Sequence, residues 1–338
     1  CTLGKHDKGF SARIQGRYSS TPGDAARPTW LLRDDNGTTD DYNTRRIRLT
    51  YWDELKDDLL YCVQVRRDWG ADEFEIHDLY LSWTLPQFGY ITVGQSMVPF
   101  GREYLTPDPQ LPLAERALAE TLLIPDREIG VLLHNNKASG RLGWYAGAYL
   151  GHGKNEWSTG AKAMAAARLE YLIAPKLNIG LQWVTHPGTV KSNFQRFLSR
   201  NGAAYGMQPL YAAGQVDEDA WGIDLLYSNG PTSLWGGYSA KQADGGAVSV
   251  DSNAWYLNLG QYVPFQGRRD ALELCLGYQD FDPNTAVTDQ LDARWLTFGA
   301  NYHIEGTKRQ VRLQYAIRDE GALDVENNTI MLEYDHAF

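Results

Sequence analysis

No run in this 338-residue chain approaches the roughly 18–20 continuous apolar residues that a membrane-spanning helix needs, so an α-helical membrane protein is excluded. Cysteine is scarce. Cys1, Cys62 and Cys275 cannot build a disulfide framework and form no CxxC or CxxCH, which removes a zinc knuckle, a redox pair and an attached haem. A basic excess is missing as well: 32 Lys and Arg stand against 42 Asp and Glu, a formal charge of −10, whereas a nucleic-acid binder usually carries the opposite sign. The seven histidines are scattered without HxxxH spacing, and no GxSxG elbow occurs. Gly151 to Lys162 (GHGKNEWSTGAK) lacks the GxxxxGK[ST] order of a phosphate-cradling loop and is expected to be an external loop. Neither a cofactor nor a metal is implied. The chain starts at Cys1 and not at Met, so a leader or other segment is expected to have been removed. Cys1 stays open between an acylated lipoprotein residue and the mere first residue of the chain as given.

What is present is glycine and aromatic side chains, 33 Gly with 11 Trp, 20 Tyr and 10 Phe, a composition that fits neither disorder nor a helix bundle. The organising signal is alternation with period two. Phe10, Ala12, Ile14, Gly16 and Tyr18 alternate with Ser11, Arg13, Gln15 and Arg17; Ile47, Leu49 and Tyr51 alternate with Arg46, Arg48 and Thr50. Similar half-apolar segments recur to the end of the chain, where Val311, Leu313, Tyr315 and Ile317 are followed by Ile330, Leu332 and Tyr334. Sixteen such strands are counted. Connections after even-numbered strands are short, as at Pro86–Gln87 and Ala174–Lys176. Those after odd-numbered strands are mostly long, as at Ser20–Tyr42, Pro99–Pro125, His186–Glu218 and Asp280–Leu291, with Trp69–Asp72 the exception. One rim of tight turns and one of variable loops is the arrangement of an outer-membrane barrel.

A soluble sandwich also alternates, so aromatic placement decides between the two. Tyr18, Tyr51, Trp83, Tyr90, Trp144, Tyr171, Trp183, Trp221, Tyr227, Tyr278, Tyr302, Tyr315 and Tyr334 all lie on the apolar faces, many near strand ends. A ring that needs apolar contact on one side and water on the other belongs at the membrane–water boundary. The chain also ends in Phe338 after an alternating series, which resembles the signal read by the outer-membrane assembly machinery. The fold class expected is therefore all-β: one transmembrane antiparallel barrel of 16 strands over residues 1–338, with the third loop folded inward. Cys62 and Cys275 point inward on well-separated strands, and no disulfide between them is expected.

From Tyr42 to Asn155 the sequence resembles the phosphate-selective porin O and P family. The likeness is carried by YNTRRIRL (Tyr42 to Leu49), VGQSMVPFGRE (Val93 to Glu103), DREIGV (Asp126 to Val131) and GRLGWYAGAYLG (Gly140 to Gly151), in family order. The resemblance implies a homotrimeric channel in outer-membrane lipids whose third loop narrows the pore. It also implies, for the phosphate channels, a ladder of arginines and lysines with a lysine at the constriction. Here Pro99 to Pro125 holds no lysine and several carboxylates, so a general or weakly anion-preferring channel for small hydrophilic solutes is expected in place of a phosphate-specific one.

If Ile47, Leu49 and their counterparts face lipid, the opposite face lines the pore. Arginine at the bilayer midplane on the lipid side costs about 2–4 kcal/mol, so a basic wall is expected inside: Arg13, Arg17, Arg46, Arg48, Arg66, Arg312 and Arg318, with Arg141 and Arg168 elsewhere in the lumen. The constriction loop, 99–125, contributes Arg102, Glu103, Asp108, Glu115, Arg116 and Glu120. Its carboxylates would face the wall and set up a transverse field. Its centre, LPLAERALAETLL, puts Leu113, Arg116, Leu118 and Leu122 at near-helical spacing and predicts a short helix. The other assignment for the arginines is internal pairing with Glu170, Asp224, Glu273 and Glu333. Three other functions compete with the channel: a barrel sheathing an electron-transfer cytochrome, a soluble carbohydrate-binding β-protein, and a hydrolase whose triad assembles from separate strands. Single-channel conductance and detergent dependence separate the first two from it.

Overall fold

A computed structural model describes residues 8–20, 40–56, 58–68, 73–135, 140–157, 163–189, 192, 194, 216–246, 248–264, 271–288, 291–304, 306–321 and 327–338. Cys1 lies outside the described residues. The sixteen strands are β1 (Gly9–Ser20), β2 (Asp40–Lys56), β3 (Leu59–Asp68), β4 (Glu73–Leu85), β5 (Gly89–Met97), β6 (Arg127–His134), β7 (Leu142–Tyr149), β8 (Met164–Ala174), β9 (Leu177–Thr189), β10 (Val216–Asn229), β11 (Thr232–Asp244), β12 (Ser249–Pro264), β13 (Ala271–Asp282), β14 (Ala293–Ile304), β15 (Arg309–Glu320) and β16 (Thr329–Ala337). Each pairs antiparallel with its sequence neighbours, and β1 pairs with β16 from Arg13↔Ala337 to Ser20↔Ile330, which closes the barrel. Closure leaves no sheet edge unpaired, the condition for placing strands in hydrocarbon.

The two faces divide as the alternation requires. Along β15, Leu313 is 48% exposed while its neighbour Arg312 is 1% exposed. Leu181 and Ile223 are likewise exposed beside the buried Gln182 and Asp224. Apolar side chains thus cover the outside, and the charged ones are turned in. Cys275 is a buried free thiol on β13, so no disulfide joins it to Cys62.

One register shift changes what faces inward. Gln64 pairs with Asp78, but Val65 pairs with Ile76, so β4 carries an extra residue at His77. Such a bulge breaks the alternation, and both His77 and Asp78 are buried, between the exposed Ile76 and Leu79. The bulge therefore puts two adjacent titratable residues in the lumen where regular alternation would put one.

The segment between β5 and β6 is not the helix its spacing predicts. The α-helix here, α1, is four residues long (Arg102–Leu105), and residues 111–123 are irregular apart from a 3₁₀ turn at Leu118–Glu120. The reason lies in where its backbone groups are satisfied. Ala117 N–H donates to Glu103 Oε2 (2.9 Å) and Leu118 N–H to Gln279 Oε1 (2.7 Å). The Pro112 carbonyl accepts from Asn301 Nδ2 (2.7 Å). With side chains meeting these groups, no i→i+4 ladder is needed. Apolar residues are buried on all sides of the segment, and a single helical face would not achieve that.

Candidate functional site

The β5–β6 loop is held by two different kinds of contact. On one side it meets an apolar core built from inward positions of β10–β14. Leu111, Leu118, Leu122 and Leu123 pack with Trp235, Val250, Ala254, Tyr256, Phe281 and Trp295. Full burial of one such leucine is worth about 1.5–3 kcal/mol. The strands leave room for the loop with small residues: a Cβ at Gly277 would fall 2.5 Å from Leu113 Cδ1. At the base of the loop, Val98, Phe100 and Ile124 pack with Tyr149, Met164, Val184 and Ala220 of β7–β10.

On the other side the contact is ionic. Asp108 sits in a 3₁₀ turn, Asp108–Gln110, flanked by Pro107 and Pro109. Its carboxylate accepts from Arg46 Nη1 (3.1 Å), from Arg48 Nη2 (2.9 Å) and from Arg116. Its carbonyl accepts from Arg312 Nη2 (2.9 Å). Burial alone would raise this acid, but Arg116, Arg48 and Arg46 outweigh it and hold it well below the usual carboxylate range. Glu115 pairs with Arg17, which also donates to Glu333 Oε2 (2.6 Å).

Glu103 and Glu120 instead take their side-chain hydrogen bonds from neutral groups. Glu103 accepts from Asn258 Nδ2 (2.6 Å), and Glu120 accepts from Tyr256 Oη (2.6 Å) and from the backbone N–H of Arg102 (3.1 Å) and Tyr104 (2.8 Å). Burial, with Glu103 and Asp224 nearby, pushes Glu120 up to about 7. Asp108 and Glu115 thus touch the basic side chains directly and do not face them across a gap. Glu103 and Glu120 fasten the loop to the apolar side.

An open space of about 600 Å³ remains between the loop and the inward face of β1–β5. Arg13, Arg46, Arg48, Arg66, Arg102, Arg116 and Arg127 line it, with Asp78, Glu115, Glu120, Asp126 and Glu170. Arg13, Arg48 and Arg116 are the most exposed of these arginines, with side chains 20%, 18% and 19% exposed. Arg17, Arg312 and Arg318 point inward but are not among the lining residues. Arg17 and Arg312 are covered by the loop and by Glu333, and the Arg318 guanidinium stacks on Trp295 at 4.4 Å.

The acids named for internal pairing divide. Asp224 takes Arg168 (2.6 Å) and Arg102 (2.7 Å), Glu170 takes Arg168 (2.8 Å), and Glu333 takes Arg17. Glu273 instead accepts from His303 (3.0 Å) and Asn301 (3.0 Å). Arg141 is not in the lumen; it is exposed in the turn before β7. The sequence reading missed Arg127, which binds Asp78 at 2.8 Å, and Lys154, whose Nζ is 2.6 Å from Glu75 Oε2. Arg127 shares the odd parity of the outward Val131 and Leu133, so alternation pointed it toward lipid and gave no sign of its buried place beside Asp78. Lys154 comes from a loop, where no periodicity reports direction.

The sequence profile of the phosphate-selective porin O and P family matches residues 31–331, nearly the whole chain. The chain belongs to that family. It is an outer-membrane porin, a diffusion channel, and the cytochrome-sheath and soluble-lectin alternatives receive no support. No curated protein matches the sequence. Solved structures share the porin's fold at low identity. A loop-deletion mutant of OmpT from Vibrio cholerae matches with a TM-score of 0.65 and 11% identity, over 98% of this chain and 99% of that one. An anion-selective porin from Comamonas acidovorans gives 0.64 and 12%, over 99% and 100%. The outer membrane channel DcaP of Acinetobacter baumannii gives 0.62 and 11%, over 99% and 100%.

Proposed function

We propose that this porin is a general channel with a preference for anions, and that its constriction is the space between the β5–β6 loop and β1–β5. Seven arginines against five carboxylates around that space carry the reading. A basic lining in a narrow, low-dielectric passage raises the local concentration of anions and lowers that of cations. Within the basic set the roles differ. Arg13, Arg48 and Arg116, the most exposed, meet the permeant ion. Arg17, Arg312 and Arg318 hold the loop and barrel in shape. With no lysine in 99–125, phosphate has no dedicated site in the loop itself. A homotrimer is proposed on the family membership and on the trimer form reported for OmpT of Vibrio cholerae.

The test is reversal potential in a potassium chloride gradient across a planar bilayer. The wild type should favour chloride, and Arg48→Glu should move the ratio toward potassium by about threefold or more. An unchanged ratio would remove Arg48 from the pathway. Chemistry is not part of this reading; the channel orients and filters solutes without making or breaking bonds.

A further inference from the structure

The β7–β8 loop is a second segment that turns into the lumen. Gly151 and Gly153 take positive φ of 75° and 89°, and Asn155 one of 62°, which folds the chain tightly over the inner wall. Gly153 N–H donates to Glu128 Oε1 (2.9 Å) and Asn155 N–H to Gln95 Oε1 (2.6 Å), while the Gly151 carbonyl meets His186 Nε2 (2.7 Å). These three anchors, on β6, β5 and β9, carry Lys154 inward. Its side chain is 8% exposed, and Nζ lies 2.6 Å from Glu75 Oε2 and 3.7 Å from Asp126 Oδ2.

The local charge balance makes this lysine matter. Glu75 also takes Arg66 (2.5 Å) and Asp126 also takes Arg127 (3.4 Å). Arg66, however, is shared with Asp68 (3.7 Å) and Arg127 with Asp78 (2.8 Å). Lys154 reaches both Glu75 and Asp126 from one ammonium group. Asp126, Arg127 and Arg66 line the 600 Å³ space, so any charge left over there is felt by a passing ion.

We propose that Lys154 is a selectivity-determining residue of the channel: delivered by the β7–β8 loop, it neutralises Glu75 and Asp126 and keeps the passage beside them net basic. This rests on the anion-preferring reading above.

The experiment measures chloride-to-potassium permeability ratios for the full-length porin in planar bilayers. Lys154→Gln should lower the ratio by about twofold, less in molar salt, where screening shortens the reach of the exposed charge. Lys154→Arg should keep the wild-type ratio, as should Lys176→Gln in the exposed β8–β9 turn. Should Lys154→Gln fail to assemble, Asp126→Asn alone should raise the ratio. An unchanged ratio in Lys154→Gln, or in Asp126→Asn where that variant stands in, overturns the proposal if Arg48→Glu still shifts selectivity. If Arg48→Glu is silent too, the failure lies in the anion-preferring reading itself.

Discussion

On β1–β3 inward-facing residues include Arg13, Arg46, Arg48, Thr50, Gln64 and Arg66, and open space lies against them. On β11–β14 the same inward parity gives Trp235, Val250, Ala254, Tyr256, Phe281, Ala293 and Trp295, covered by the β5–β6 loop. Both walls belong to one barrel in one bilayer, and both turn apolar residues outward. The difference shows that a porin lumen is two environments. One wall is solvated and selects ions; the other is a protein core that fixes the loop. The loop's position is thus set mainly by hydrophobic burial on its far side, and the ion pairs through Asp108 set its distance from the arginines.

The largest expected effect comes from giving the two walls the same substitution. Ala254 is 1% exposed beneath the loop, whereas Ser11 lines the open space. Ala254→Arg should destabilise the folded barrel by about 3–5 kcal/mol, because it leaves an unpaired charge in an apolar core. Ser11→Arg should be close to neutral in stability, and unfolding in urea measures both. Equal effects would erase the distinction between the walls.

Removing the shared element is the next step. Deleting Leu113–Leu122 takes away the part of the loop that covers β11–β14 and contributes Glu115 and Arg116 to the lining. Single-channel conductance should rise by about twofold, with weaker ion preference, since a wider passage weakens every wall charge. Unchanged conductance would mean that this segment does not limit the passage.

The strands were readable because hydrocarbon imposes the same rule on every one of them. Leu313 and Tyr315 must face out, so Arg312 and Gln314 must face in. Even the bulge at His77 leaves a trace, since Ile76 and Leu79 are three apart where two is the period. The inner surface obeys no such uniform rule. Ala254 and Trp295 at inward positions signal that something covers them, but not what. The 111–123 segment misled by its spacing, because its partners Glu103, Gln279, Asn301 and Arg312 are remote in sequence and replace the local bonds a helix would make. Lys154 was placed correctly in a loop, yet nothing in GHGKNEW fixes the direction in which a loop folds.

The smallest expected effect is a pH dependence centred on Glu120, which is fastened to the covered wall at the edge of the open space. Glu120 is held by Tyr256 Oη and by the N–H groups of Arg102 and Tyr104, with Glu103, Asp224 and Arg102 the charged groups around it. A carboxyl pushed up to about 7 by burial and by those acids binds its proton more tightly in the docked loop than in an unfolded chain, where it titrates near 4.5. Its contribution to loop docking is therefore full below pH 4.5 and lost as the pH rises through 7. Thermal unfolding should begin at lower temperature at pH 8.5 than at pH 5.5, and Glu120→Gln should flatten that difference while keeping one acceptor oxygen for the backbone N–H groups. The chloride preference, set by the several arginines of the solvated wall, should change much less than the unfolding temperature. A large swing in selectivity between pH 5.5 and 8.5, with unfolding unaffected, would place the titrating carboxyl on the other wall.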